Sequence, residues 1–172
     1  MYWPKFSEAG LIKKIRKGRS RNGVTCTYIK WTKHVGLKVF TSKWARDQCA
    51  KLQGIAAENK LGPKVGEKAQ FEVLWGETDD WDSFENAPQM RMKKLYCYFT
   101  EHADRPRKYQ RTGKKRRDLE CKLHRVGIDH NDLHTENVGL VNGKLVCIDF
   151  DYVSCIKCKP GEKVNPDADS YS

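Results

Sequence analysis

Short apolar runs separated by polar stretches dominate the first hundred residues, and their lengths predict strands. The predicted strands cover residues 12–15, 25–31, 35–40, 70–75 and 90–99. Between the third and fourth of them, residues 42–59 carry apolar side chains at helical spacing, and Ser42 is a suitable N-cap. The pattern therefore predicts strands interrupted by a single helix.

A second apolar pattern lies near the C-terminus. Residues 138–141 and 144–148 are short apolar strands separated by Asn142 and Gly143. Both turn residues accept the positive φ that a two-residue hairpin requires. We therefore predict a rigid β-hairpin here.

Three polar residues lie at the ends of this hairpin. Asn137 follows Asp132 by five residues and precedes Asp149 by twelve. Phosphoryl transfer from a nucleotide uses one carboxylate to orient the attacking hydroxyl, and an Asn with a second Asp to hold Mg²⁺. Isolated Asp and Asn residues are more often turn formers, but here the spacing and the hairpin coincide.

The motifs resemble those of the protein-kinase-like superfamily. His-x-Asp at 130–132 matches the catalytic loop, and Asp-Phe-Asp at 149–151 lies where protein kinases carry Asp-Phe-Gly. The resemblance implies ATP and Mg²⁺ as cofactors. It makes Asp132 the catalytic base and Asn137 and Asp149 the metal ligands.

Lys38 lies in an apolar strand that is similar to the Val-Ala-Ile-Lys strand of kinases, with Gly36 in place of Ala. The resemblance makes Lys38 a catalytic residue that clamps the nucleotide phosphates. A water-facing lysine on an edge strand is the alternative. Kinases pair this lysine with a helix glutamate, and the sequence leaves Gln48, Gln53 and Glu58 open for that position.

Two further nucleotide contacts follow from the resemblance. Residues 18–23 are similar to a glycine-rich phosphate loop, in which Gly18, Ser20 and Gly23 would approach phosphate oxygens. By its position, Glu101 would lie in the hinge between two lobes and bind adenine through backbone groups. The connection at 61–65 is similar to that of choline-kinase-like and aminoglycoside-phosphotransferase-like enzymes.

The 172 residues allow one domain or two small lobes. The expected fold is α+β, a truncated two-lobe protein-kinase-like fold. The expected N-lobe, 1–101, is an antiparallel sheet with one helix, and residues 102–159 form a minimal C-lobe. We expect residues 160–172 to be a disordered tail. Such a minimal core resembles small atypical kinases of the kind that bacteriophages encode.

The chain is strongly basic, with a net charge of +11. Eight of the fourteen residues 104–117 are Lys or Arg. This charge predicts an acidic protein partner or substrate, although a solvated helix face is the simpler interpretation. In the kinase interpretation the segment lies on the far side of the hinge from the phosphates.

Seven irregularly spaced cysteines, with no signal peptide or long apolar run, predict a reducing cytoplasm, free thiols and no membrane association. The sequence does not assign a role to Cys155 and Cys158, or an oligomeric state.

Three functions remain open. The first is an ATP- and Mg²⁺-dependent phosphotransferase that acts on a hydroxyl, most simply a Ser or Thr of a protein. The second is a catalytically weak relative that acts by binding nucleotide or a partner protein. The third is a nucleic-acid-binding protein that uses the basic runs at 13–21 and 105–117, although no recognised motif accompanies the charge.

Overall fold

The computed structural model describes residues 2–11, 20–22, 26–76, 90–130, 133–150 and 155–157. The two long α-helices are α1 (Lys43–Glu58) and α2 (Gly113–Arg125), residues 8–11 are also helical, and a short 3₁₀-helix covers Lys108–Gln110. The strands are β1 (Ser20–Asn22), β2 (Thr27–Lys30), β3 (Val35–Phe40), β4 (Val65–Gly76), β5 (Met90–Glu101), β6 (Ile128–His130), β7 (Val138–Val141), β8 (Lys144–Cys147) and β9 (Cys155–Lys157). The predicted α+β class is confirmed.

Strands β1 to β5 form one antiparallel sheet in the order β1-β2-β3-β5-β4. All six residues of β3 are buried, because the strand lies between β2 and β5 and carries a nearly continuous apolar sequence. Strands β4 and β5 are longer than predicted, and β4 begins at Val65. The strand predicted at 12–15 lies outside the described residues, and residues 8–11 before it are helical.

Helix α1 begins and ends close to its predicted limits. Ser42 is the N-cap, and its side chain accepts a hydrogen bond from the N–H of Ala45. At the other end Lys60 has φ 59°, and the N–H of Leu61 donates to the carbonyl of Ala56 at 2.8 Å. This is a helix C-terminal motif in which the left-handed residue is ordinarily Gly.

The predicted C-terminal hairpin is confirmed. Strands β7 and β8 pair antiparallel from Val138 with Cys147 to Val141 with Lys144. Asn142 and Gly143 have φ values of 50° and 75°, which are those of a two-residue turn with two positive φ angles.

A hydrophobic core joins the hairpin to both helices. It contains Leu52, Ala56, Leu61, Leu119, Leu123, Ile128, Val138, Cys147 and Phe150. Helix α1 therefore supplies apolar side chains to this core, while its Ala45, Cys49 and Ala50 pack on the sheet. The hydrophobic packing thus crosses the boundary expected at residue 101.

The chain leaves the sheet after Glu101 and is then fixed to the hairpin, because Asp104 and Leu140 exchange two backbone hydrogen bonds of 2.9 and 2.8 Å. The expected tail, 160–172, lies outside the described residues. Among the described helices, none has the length and apolar character needed to cross a membrane.

Candidate active site

Lys38 is buried in the central strand β3, with 7% of its surface exposed. Its Nζ donates to Gln53 Oε1 at 3.0 Å and to the carbonyl of Ile148 at 2.8 Å. The alternative of a water-facing lysine on an edge strand is therefore wrong. Both acceptors are neutral oxygens, so hydrogen bonds hold the ammonium group in place without neutralising its charge.

The structure decides which helix residue meets Lys38. Gln53 is fully buried, and its Oε1 accepts from both Lys38 Nζ and the Tyr98 hydroxyl (2.8 Å). Its Nε2 donates to the carbonyl of Pro63 at 3.0 Å and to Thr100 Oγ1 at 2.7 Å. Four hydrogen bonds therefore use the whole amide, and the Pro63 carbonyl, which can only accept, fixes its orientation.

Tyr98 remains a hydrogen-bond donor across the working pH range. Burial raises its pKa well above the usual value, and Cys49, Cys26 and Asp149 add smaller effects in the same direction. Its hydroxyl is therefore protonated at neutral pH and donates to Gln53.

Ile148 connects the two predicted metal ligands with the lysine. Its carbonyl accepts from Lys38, and its N–H donates to the carbonyl of Asn137 at 3.0 Å. Asp149 is the next residue, and its own carbonyl accepts from Cys147 Sγ and lies 2.7 Å from His130 Nε2. The backbone at Ile148 thus links Lys38 Nζ to the chain at Asn137 and lies directly before Asp149, while the roles of these residues stay a prediction.

Asn137 is held by its own loop. It is 8% exposed, its N–H donates to the carbonyl of His134, and its Nδ2 lies 3.2 Å from His134 Nε2. Within the described ranges, no group of three or more His, Cys, Asp or Glu side chains is arranged to hold a metal ion. By their chemistry, the side-chain oxygens of Asn137 and Asp149 are groups that could hold part of a Mg²⁺ ligand set, with phosphate and water oxygens completing it.

The remaining predicted site residues have different outcomes. Asp132, Gly18 and Gly23 lie outside the described residues. Ser20 begins strand β1 and pairs with Ile29, so it does not lie in a loop between two strands. Sequence reasoning missed this because two glycines near a turn do not determine which residues continue the hydrogen-bonded ladder.

Glu101 is the last residue of β5, and its backbone is already hydrogen-bonded. Its N–H donates to the carbonyl of Lys64 at 2.9 Å, and its carbonyl accepts from Thr100 Oγ1 at 3.2 Å. Its carboxylate accepts from the N–H of Lys64. The N–H of Glu101 is thus engaged by Lys64, the residue before β4, and is not a free donor for a nucleotide base.

The basic segment 104–117 contacts the loop that follows Asp132, which corrects the expectation that it lies far from the site. Arg111 Nη1 donates to the carbonyl of Thr135, and Arg116 Nη1 donates to that of Leu133. The sequence does not distinguish these two arginines from their neighbours, because the contacts depend on how α2 packs against the loop.

Tyr28 is a further residue that the sequence analysis above does not single out. Its hydroxyl lies 2.6 Å from His102 Nδ1, and its ring lies over Gly36. The replacement of the usual Ala by Gly in the lysine strand is the signal that points to it.

A scan against protein-family models gives no match for this chain. A search of curated proteins likewise returns no significant match.

Proposed function

We propose that the protein is an ATP- and Mg²⁺-dependent phosphotransferase with a truncated, two-lobe protein-kinase-like fold, which transfers the γ-phosphate to a Ser or Thr hydroxyl of a protein. Residues 1–101 and 102–159 are its two lobes. The observation that carries the proposal is that the Ile148 backbone, directly before Asp149, accepts from Lys38 Nζ and donates to the carbonyl of Asn137.

The charge of Lys38 supports an anionic ligand. A buried ammonium group is costly unless an opposite charge compensates it. Because its two described acceptors are neutral, a phosphate oxygen next to Nζ would supply that charge. Asn137 and Asp149 would hold the Mg²⁺ that bridges the same phosphates.

Asp132 is proposed as the base on the strength of its place in the chain. His130, two residues before it, is buried and contacts the carbonyl of Asp149. Leu133, directly after it, is held by Arg116. Asp132 would orient the acceptor hydroxyl and accept its proton while the phosphoryl group moves.

Nucleotide binding and transfer test this proposal separately. Mg·ATP should raise the melting temperature of the wild type, because a ligand at 100 times its Kd adds about 2.7 kcal/mol to the free energy of unfolding. Asp149→Asn should remove the Mg²⁺ dependence of that shift. Asp132→Asn should abolish phosphate transfer and leave the shift unchanged.

Asp129→Asn is the matched control. Asp129 is three residues from Asp132, and its half-exposed carboxylate lies 4.0 Å from His124 Nδ1. The control should affect neither binding nor transfer. The absence of both a shift and transfer in the wild type at millimolar Mg·ATP would contradict the proposal.

A catalytically weak nucleotide-binding protein is the second candidate. It is supported by Gln53, since a neutral amide stands where an active kinase has the glutamate that pairs with the lysine. In this case the wild type binds Mg·ATP but transfers no phosphate to protein or water. Asp132→Asn would then have no effect on any measured property.

The exposed cations of segment 104–117 support an acidic protein partner. Arg107, Lys108, Lys114 and Arg117 are exposed, whereas Arg111 and Arg116 are partly buried against the loop. Reversing those four exposed residues to Glu should slow association with an acidic partner and flatten its salt dependence. Unchanged association and salt dependence would rule out this surface.

A further inference from the structure

Helix α1 covers one end of the sheet face that carries Lys38. Side chains two residues apart in a strand share a face, so Gly36, Lys38 and Phe40 of β3 point the same way. Phe40 is buried against Ala45, Cys49 and Ala50 of helix α1. Because α1 occupies the Phe40 side, the Gly36 side is the direction along β3 that α1 leaves open to a molecule bound at Lys38.

The side chain of Tyr28 lies over Gly36 and fills the space on that side of Lys38. It is the cross-strand partner of Lys38 in β2, so the two side chains lie on the same face. A Cβ added to Gly36 would overlap the Tyr28 hydroxyl oxygen and two of its ring atoms. The phenol ring therefore lies directly on the backbone of Gly36, where any larger residue would displace it.

The far end of Tyr28 is fastened to the segment that joins the sheet to the hairpin. Its hydroxyl lies 2.6 Å from His102 Nδ1, and the two rings are stacked with centroids 6.0 Å apart. The N–H of His102 in turn donates to the carbonyl of His34 at 2.8 Å. The Tyr28 side chain thus covers the sheet face at Gly36, and its hydroxyl end contacts His102.

We infer that Tyr28 is a gate on the base end of the nucleotide site, and this rests on the proposed function. The aromatic base of a nucleoside triphosphate needs the space above Gly36 that the tyrosine ring fills. Binding then requires the ring to leave His102, so the ligand-free arrangement lowers the apparent affinity for nucleotides by the fraction of molecules in which the gate is open.

Two probes separate the base from the phosphates. Mg·tripolyphosphate carries the phosphate chain without a base, whereas Mg·ATP carries both. Calorimetric titration of each probe into wild type, Tyr28→Ala and Tyr28→Phe measures the effect of the ring and of the hydroxyl separately. Tyr109→Ala, at a tyrosine with 61% exposure, is the matched control.

We expect Tyr28→Ala to bind Mg·ATP at least about tenfold more tightly than the wild type. The reason is that the gate is open in about ten per cent or less of wild-type molecules, whereas the variant has no ring to displace. Tyr28→Phe keeps the ring and should give a smaller gain. Affinity for Mg·tripolyphosphate should remain within about twofold in every variant. Tyr109→Ala should match the wild type with both probes.

The outcomes distinguish the inference from the function beneath it. If tripolyphosphate binds and Tyr28→Ala does not strengthen ATP binding, the gate is wrong and the phosphate site stands. Equal strengthening for both probes would also overturn it, because the ring would then act on the phosphates. If neither probe binds any variant, the proposed function fails and the gate fails with it.

Discussion

Replacing Gln53 by leucine tests the central polar contact of the protein. The two side chains have similar volumes, so the substitution removes four hydrogen bonds with little change of packing. Tyr98 and the Pro63 carbonyl lose the partner that Gln53 supplies, while Lys38 retains Ile148 and Thr100 retains the carbonyl of Glu101.

The magnitude follows from these losses. A buried polar group left without a partner costs about 1–3 kcal/mol. Two such groups, and the weakened contact of a charged ammonium, amount to about 4–5 kcal/mol, from which leucine recovers about 1 kcal/mol by apolar burial. The net loss of about 3–4 kcal/mol is a large part of the 5–15 kcal/mol by which proteins of this kind are stable.

Urea unfolding followed by tryptophan fluorescence measures this loss as a lower midpoint with an unchanged slope. Gln48→Leu is the matched control, because it makes the same change on the same helix at a half-buried glutamine outside this network. It should alter the free energy of unfolding by less than about 0.5 kcal/mol. A loss at Gln53 no larger than at Gln48 would refute the reasoning.

Gln53→Glu keeps the shape of the side chain and removes its hydrogen-bond donor, Nε2, so it measures the effect of the donor by itself. The carboxylate keeps an oxygen for Lys38 and Tyr98, but it presents a second acceptor to the Pro63 carbonyl in place of Nε2. We expect a loss of about 1–3 kcal/mol at neutral pH, which is the cost of one buried acceptor without a donor. A gain in stability would mean that an ion pair outweighs the amide network.

Three other outcomes can be measured in the same way. Burial raises the pKa of Cys97 from its usual 9.0 to about 11, so the folded state holds the thiol proton more tightly than the unfolded state does. The contribution of this proton to the free energy of unfolding is complete below pH 9 and is lost as the pH rises toward 11. Cys97→Ala should therefore reduce the fall in melting temperature between pH 9 and 11, leaving the part due to Tyr98. Lys60→Gly should raise the free energy of unfolding by about 0.5 kcal/mol, because glycine removes the strain of φ 59° at some cost in chain entropy. Arg116→Gln should lower the free energy of unfolding by about 1 kcal/mol, because the hydrogen bond to the carbonyl of Leu133 is lost. Arg117→Gln, at an exposed neighbour, should leave the free energy of unfolding unchanged. Equal effects of the two substitutions would contradict the contact.

The local elements could be predicted because their signals are short-range. The turn at Asn142 and Gly143 depends on the φ angles that these two residues tolerate. The start of α1 depends on a side-chain oxygen at Ser42 that reaches an N–H three residues later. Each of these outcomes is decided within a few positions of chain.

Other local details required the paired strands. Ser20 was expected in a loop, but it lies in β1 because its backbone pairs with β2. The pairing of Cys155–Lys157 with Ile128–His130 had no clear sequence signal, since both strands are only three residues long. Register of this kind depends on which segments meet, and a short run of residues does not specify that.

The sequence by itself determined the α+β class and the position of the hairpin. Tertiary structure alone decided that Lys38 meets Gln53, fifteen residues away, and Ile148, 110 residues away. It also decided that Tyr28 covers Gly36 and reaches His102. Periodicity and capping act between near neighbours, whereas contacts at such separations depend on the angle and distance at which the helices, sheet and hairpin pack.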